Sequence, residues 1–161
     1  MIGMRYVEPK KLQEILQSST DKLSQDMLYD SLGLEHFTLA FKDTNRIKSL
    51  DISENNLGSK NFQILIPIFR SNVKIENLNV ADTKIDGVCA EKMCSILKSS
   101  NKSLKVLKFR NSNLEDDGAQ AIADLLQGHM TIRELEIYNC DIDERGGHAM
   151  CTALKTNFCI E

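Results

Sequence analysis

Four stretches of the chain share one order of apolar and polar positions. Residues 47–57, 75–85, 104–114 and 132–142 superimpose without gaps, each reading apolar-x-x-apolar-x-apolar-x-x-(Asn, Thr, Ser or Cys)-x-apolar. Their first residues, Ile47, Ile75, Leu104 and Ile132, stand 28, 29 and 28 residues apart. The alternations Leu50-x-Ile52, Leu78-x-Val80, Leu107-x-Phe109 and Leu135-x-Ile137 predict short strands with one buried face. The intervening halves align as well. Leu65, Ile68 and Phe69 correspond to Met93, Ile96 and Leu97, to Ile122, Leu125 and Leu126, and to Met150, Ala153 and Leu154. That spacing of 0, +3 and +4 is one face of a helix. A unit of strand plus helix, repeated, predicts stacked coils whose strands lie side by side about 4.8 Å apart as a parallel sheet. Helices are about 10 Å wide, so the stack curves with the sheet on its concave side.

Two further recurrences carry structural meaning. After each strand stand Asn55, Thr83, Ser112 and Cys140, where a side chain turned inward can satisfy backbone groups as the chain leaves the sheet. Three residues before each unit stand Asn72, Asn101 and His129, and Asn157 follows the last helix in the same register. These are expected at helix ends, in positions tolerant of left-handed backbone. Acidic residues open the helices at Asp86, Asp116–Asp117 and Asp143–Glu144, where they meet the positive end of the helix dipole. Gly118, Gly146 and Cys89 share one small-residue slot at the helix entry.

This repeat resembles the leucine-rich-repeat proteins of the ribonuclease-inhibitor type, whose units alternate between 28 and 29 residues. The resemblance covers residues 47–158 and implies an α/β fold: a right-handed solenoid with a curved parallel sheet inside, helices outside and an N-terminal helical cap. The expected organisation is a helical cap and half-repeat over 1–46 and four repeats over 47–74, 75–103, 104–131 and 132–159. Residues 160–161 would start a fifth. Counting back 28 residues from the first unit finds Ser19, Lys22 and Ser24 at the apolar slots, so no strand is expected there. Amphipathic helices are expected over 9–17 and 21–32 instead. For residues 36–41 a helix is favoured over an edge strand, because Gly33, Phe37, Ala40 and Phe41 match Gly118, Ile122, Leu125 and Leu126. Ile160 falls one unit after Ile132, so the chain is expected to be a fragment of a longer array, or to have its last coil covered by another chain. It is otherwise expected to be a monomer.

Composition narrows the function. The chain has 161 residues, 20 Lys+Arg against 23 Asp+Glu, and a net charge of −3. That balance argues against a general nucleic-acid binder. The longest apolar run, residues 64–69, is broken by Pro67 and falls far short of the roughly 20 residues that span a bilayer, so no membrane partner is expected. Five cysteines without a C-x-x-C pair argue for free thiols and a cytoplasmic setting. Phosphate-loop, zinc-protease and nucleophile-elbow motifs are missing from the sequence. His36, His129 and His148 fall in different coils without Asp or Cys at ligand spacing. We therefore expect no catalytic residue, metal or cofactor.

The outward-facing strand residues are the candidate site. Asp51, Ser53, Asn77, Asn79, Lys108, Arg110, Glu134, Glu136 and Tyr138 are expected on the concave face, with Arg110 and Tyr138, types common at interface hot spots, at its centre. The outer helices are the competing surface. The resemblance implies a non-catalytic scaffold that binds a protein partner. Two alternatives stay open: an actin-capping domain, since tropomodulin-like domains resemble this chain in size and repeat class, and a GTPase-activating regulator using Arg110 as a charge-stabilising finger.

Overall fold

A computed structural model of the protein describes residues 22–23, 31–41, 45, 47–55 and 57–161. Among the described residues, five strands form one parallel sheet in chain order: β1 (Lys22–Leu23), β2 (Ser49–Asp51), β3 (Asn77–Asn79), β4 (Val106–Lys108) and β5 (Glu134–Glu136). Five helices alternate with them: α1 (Ser31–Phe41), α2 (Gly58–Ser71), α3 (Gly87–Ser100), α4 (Glu115–Gly128) and α5 (Glu144–Leu154). Leu50 pairs with Leu78, Leu78 with Leu107 and Leu107 with Leu135, so the repeat period of the sequence is the register of the sheet. Between sheet and helices runs one continuous core. Leu50, Leu78 and Leu107 of the strands bury against Phe62, Leu65, Met93, Leu97, Ile122 and Leu125 of the helices.

The N-terminal segment corrects one expectation. Lys22–Leu23, expected inside a helix over 21–32, is a strand in which Lys22 pairs with Ser49 and Leu23 with Leu50. The spacing there is 27 residues rather than 28. A one-residue slip exchanges the two faces of a strand, so counting by 28 placed Lys22 where Leu23 belongs. Residues 36–41 are helical, within α1, and Phe37 and Phe41 bury in the core with ring centroids 4.8 Å apart. The helix expected over 9–17 lies outside the described residues.

The helix entries alternate in backbone conformation from unit to unit. In the first and third units the left-handed residue stands at the helix entry (Gly58, φ +52°; Glu115, φ +53°). In the second and fourth it stands two positions earlier (Lys84, φ +56°; Asp141, φ +52°). The two kinds of entry interlock. Asp86 caps its own helix by accepting from the Cys89 amide at 2.8 Å, and Ser59 of the preceding coil donates to it. Asp143 makes no such cap. Asp116 of the preceding coil supplies it instead, its Oδ1 accepting from the amides of Asp143 and Gly146 at 2.9 Å each. Those two backbone donors hold the Asp116 carboxyl below the ordinary carboxylate range, against a smaller desolvation effect.

The small-residue slot is tight where coils meet. A Cβ on Gly118 would lie 2.8 Å from Leu114 Cβ, and one on Gly146 2.9 Å from Ala119 Cβ of the preceding coil. Gly147 has open space around it. Gly118→Val is expected to cost about 1–3 kcal/mol by overpacking, while Gly147→Ala raises stability by about 0.5–1 kcal/mol through helix propensity. Thermal melting followed by circular dichroism reads both.

Candidate concave interaction site

Two rows of buried side chains flank the strands, one after β2–β5 and one before β3–β5. After the strands, the Asn55 amide donates to the carbonyls of Ile52 and Ser53 at 2.9 Å, and Thr83 to Val80 at 2.6 Å. Ser112 reaches Arg110 O only at 3.4 Å, and Cys140 Sγ lies 3.2 Å from Phe109 O. Burial pushes the Cys140 thiol up, and raises Cys89 to about 11 and Cys94 to about 12. These thiols stay protonated and act as small hydrophobes.

The row before the strands works differently from expectation. Asn72, Asn101 and His129 have φ of −91°, −98° and −124°, so none is left-handed. Their task is to tie coil to coil. Asn72 donates to Phe41 O at 3.0 Å, Asn101 to Ile75 O at 2.9 Å and Asn157 to Leu126 O at 2.8 Å. His129 Nε2 takes the same role toward Asn101 O at 2.7 Å. A carbonyl only accepts, so Nε2 carries the proton. Burial lowers the His129 pKa from its ordinary 6.5, assisted by the charge of Lys102 and opposed by the bond to Asn101. With the folded value below the unfolded one, the unfolded chain takes up the proton first. The stability this residue contributes is complete above about pH 6.5 and is lost as pH falls through the folded value. Replacing His129 by Asn, its counterpart in the neighbouring coils, is expected to flatten the fall in melting temperature between pH 7 and 5. An unchanged slope would contradict this.

On the concave side the strand residues line a groove of about 360 Å³ formed by Ser49, Asp51, Asn77, Asn79, Val106, Lys108, Arg110 and Glu134. Its β4–β5 half is a network of charges. Lys108 Nζ lies 2.7 Å from both Glu134 Oε1 and Glu136 Oε1. Arg110 Nε sits 3.1 Å from Glu136 Oε2 as an ion pair rather than an aligned hydrogen bond. Arg110 Nη1 donates to Tyr138 Oη at 3.0 Å, with the guanidinium carbon 5.6 Å from the ring centre. The hydrogen bonds from Lys108 lower the Glu136 pKa more than desolvation raises it. Hydrogen bonds to Glu134 and Glu136 raise that of Lys108. Two cations and two carboxylates thus neutralise one another, and Tyr138, 57% exposed, adjoins them through Arg110.

The other half is neutral to acidic, and one candidate falls out of it. Ser53 is 5% exposed, so it is removed from the docking surface. The chain turns at once after β2, and the Ser53 amide and hydroxyl both donate to Asp51 Oδ1, at 3.1 and 2.6 Å. Asn79 holds the Ala81 amide the same way at 3.1 Å. Asp51, Asn77, Asn79, Lys108, Glu134 and Glu136 all retain partial or full exposure. A feature the apolar pattern could not show lies at the rim: Glu54, Asp82, Asn111 and Asn139 are left-handed, with φ of 52–58°. Asn139 donates to Asn111 at 2.8 Å and Asn111 to Asp82 at 2.7 Å. The signal was available, since Asn and Asp tolerate that region better than other side chains.

Comparison with known proteins follows this geometry. A family model described as Leucine Rich repeat matches residues 100–123. A ribonuclease inhibitor of Sus scrofa is 25% identical over 113 residues, covering 69% of this chain and 25% of the inhibitor. The chain carries leucine-rich repeats of the ribonuclease-inhibitor type. A FERM domain-containing protein C of Dictyostelium discoideum is 27% identical over 69% of this chain and 8% of its own length. A NACHT, LRR and PYD domains-containing protein 14 of Mus musculus is 23% identical over 93% of this chain and 15% of its own. The chain thus spans a minor part of each of these relatives. Among solved structures, the repeat fold is shared with leiomodin-1 actin-binding site 2, with a TM-score of 0.70 at 16% identity, covering 91% of this chain and 87% of that one. It is shared too with a Caenorhabditis elegans tropomodulin C-terminal domain, with a TM-score of 0.72 at 11% identity, covering 94% of each. No helix among the described residues is long and apolar enough to cross a membrane, and these residues hold no metal-binding cluster.

Proposed function

We propose that the leucine-rich repeats form a non-catalytic scaffold that docks a partner protein on the concave sheet face, centred on Tyr138 and Arg110. The carrying observation is the charge network that reaches Tyr138 through Arg110. Lys108, Arg110, Glu134 and Glu136 are already paired with one another, so the face is held rigid before a partner arrives. A preordered surface loses little side-chain entropy on binding. The affinity then rests on the exposed ring and its guanidinium neighbour, as at interfaces where a few aromatic and Arg residues dominate. Affinity purification with the intact chain and with an Arg110→Glu/Tyr138→Ala variant tests this. The variant, shown to be folded by circular dichroism, is expected to lose at least tenfold of the captured partner. Equal capture by both would move the site to the helices.

A second reading is favoured by one observation, the nearly complete mutual coverage with leiomodin-1 actin-binding site 2. On that reading the partner is actin. Co-sedimentation with actin filaments, together with a filament-elongation assay, separates the two: binding or capping lost in the Arg110→Glu/Tyr138→Ala variant would name the partner, and no effect on filaments would remove actin. A GTPase-activating role has less support, because an Arg110 finger would first have to leave Glu136 and Tyr138.

A further inference from the structure

The rim where helices end and strands begin carries a second surface, opposite the row of Asp82, Asn111 and Asn139. Lys74, Lys102, Lys105 and Arg133 are all exposed along it, one in each of the four repeats. Lys105 holds Glu76 at 2.6 Å. Lys102 Nζ donates to the Lys98 carbonyl at 2.6 Å and Arg133 Nη1 to the Cys159 carbonyl at 3.0 Å. Among the described residues neither of these two has a carboxylate at ion-pair distance, and nor does Lys74. Arg133 and Lys105 are neighbours on this rim, since the Arg133 amide donates to Lys105 O at 2.8 Å, and the same line runs on to a carboxylate residue at either end, Glu76 beside Lys105 at 2.7 Å and Glu161 beside Arg133 at 2.9 Å.

Two large apolar side chains interrupt this row. Met130 is 53% and Phe158 87% exposed, and they occupy the register position that Lys102 fills one coil earlier. Met130 belongs to a coil with a neighbour on either side. Its exposure shows that this register position, which Phe158 shares, faces solvent with coils stacked on both sides. Helix dipoles explain cations in the last helical turn, such as Lys98. They do not explain Lys105 and Arg133 at strand entries, nor Met130 and Phe158. Met, Phe and Arg are enriched at protein interfaces.

We infer that this rim is an interaction surface for an acidic protein segment carrying apolar side chains, its carboxylates meeting Lys102 and Arg133 and its apolar residues packing on Met130 and Phe158. A protein segment fits better than a membrane. Lipid insertion draws on the whole apolar face of an amphipathic element, whereas here two separated apolar side chains, one in each of two successive coils, stand on a rim that also carries Lys102 and Arg133. The surface is separate from the concave face, so its test uses different variants.

The probe is a fluorescein-labelled peptide alternating Glu with Leu and Phe, compared with an all-Glu peptide of the same charge and with phosphatidylserine vesicles. The full chain is expected to bind the mixed peptide at least tenfold more tightly than the all-Glu peptide. Lys102→Glu/Arg133→Glu should weaken that binding tenfold or more, and Met130→Ser/Phe158→Ser should abolish the preference between peptides. Both variants change exposed positions, and their melting temperatures confirm that they fold. Equal affinity for the two peptides, equal binding by the variants, or binding to vesicles but not to the mixed peptide would each overturn the inference.

Discussion

Leu107→Asp is expected to abolish the cooperative unfolding transition. Leu107 is wholly buried in the interior strand β4, with Leu78 and Leu135 as its sheet partners on either side. Among the described residues the core around it is hydrophobic and holds no cation to receive a carboxylate. The carboxylate must remain charged at a large desolvation cost or be neutralised at a smaller but still severe one. Either exceeds what a domain of this size can lose, since the whole folded state is worth about 5–15 kcal/mol. Because each coil packs only on its neighbours, a break in the middle separates the array into pieces too small to bury their own cores. Val106→Asn, one residue earlier and on the concave face, repeats the Asn77 of the adjacent strand and should melt close to the parent. If Leu107→Asp melts with the parent, the register described above is wrong.

The second large effect is expected from a polar residue. Asn101 is fully buried, donating to Ile75 O at 2.9 Å and accepting from the amides of Ser103 and Leu104 at 2.7 and 2.9 Å. Asn101→Leu keeps the volume and removes all three bonds. The Ile75 carbonyl and the Leu104 amide are then left buried without partners, each costing about 1–3 kcal/mol. A loss of about 3–5 kcal/mol by urea denaturation follows. Ser112→Ala, which removes one contact of 3.4 Å, should cost under about 1 kcal/mol. Similar losses for the two would show that the row before the strands does not join the coils as described.

The contrast between these residues shows which parts of the molecule its sequence reveals. Apolar spacing alone places Leu107 and its counterparts, because burial of one strand face and one helix face leaves few alternatives. The role of Asn101 is harder to read. Its recurrence is visible, but whether it bends the backbone or bridges to the previous coil depends on where that coil's carbonyls lie. Leu23 escapes for a different reason: a unit one residue shorter moves every slot, and the count by 28 finds Lys22. At the candidate site the strand alternation correctly turns Lys108 and Glu136 outward. It also places Ser53 there, although the turn after β2 buries it. The pairing of Arg110 with both Glu136 and Tyr138 joins residues 26 and 28 positions apart, and side-chain reach of that kind is set by geometry between coils rather than by any pattern within one.

The most direct test of a docking site on the concave face is hydroxyl-radical footprinting of the chain with and without the partner it captures. Tyr138 and Leu154 are both exposed, at 57% and 42%, one at the sheet face and the other at the end of α5. A concave site predicts that oxidation of Tyr138 falls on binding while that of Leu154 stays the same. Protection of Leu154 with Tyr138 unchanged would contradict it and move the partner to the helices.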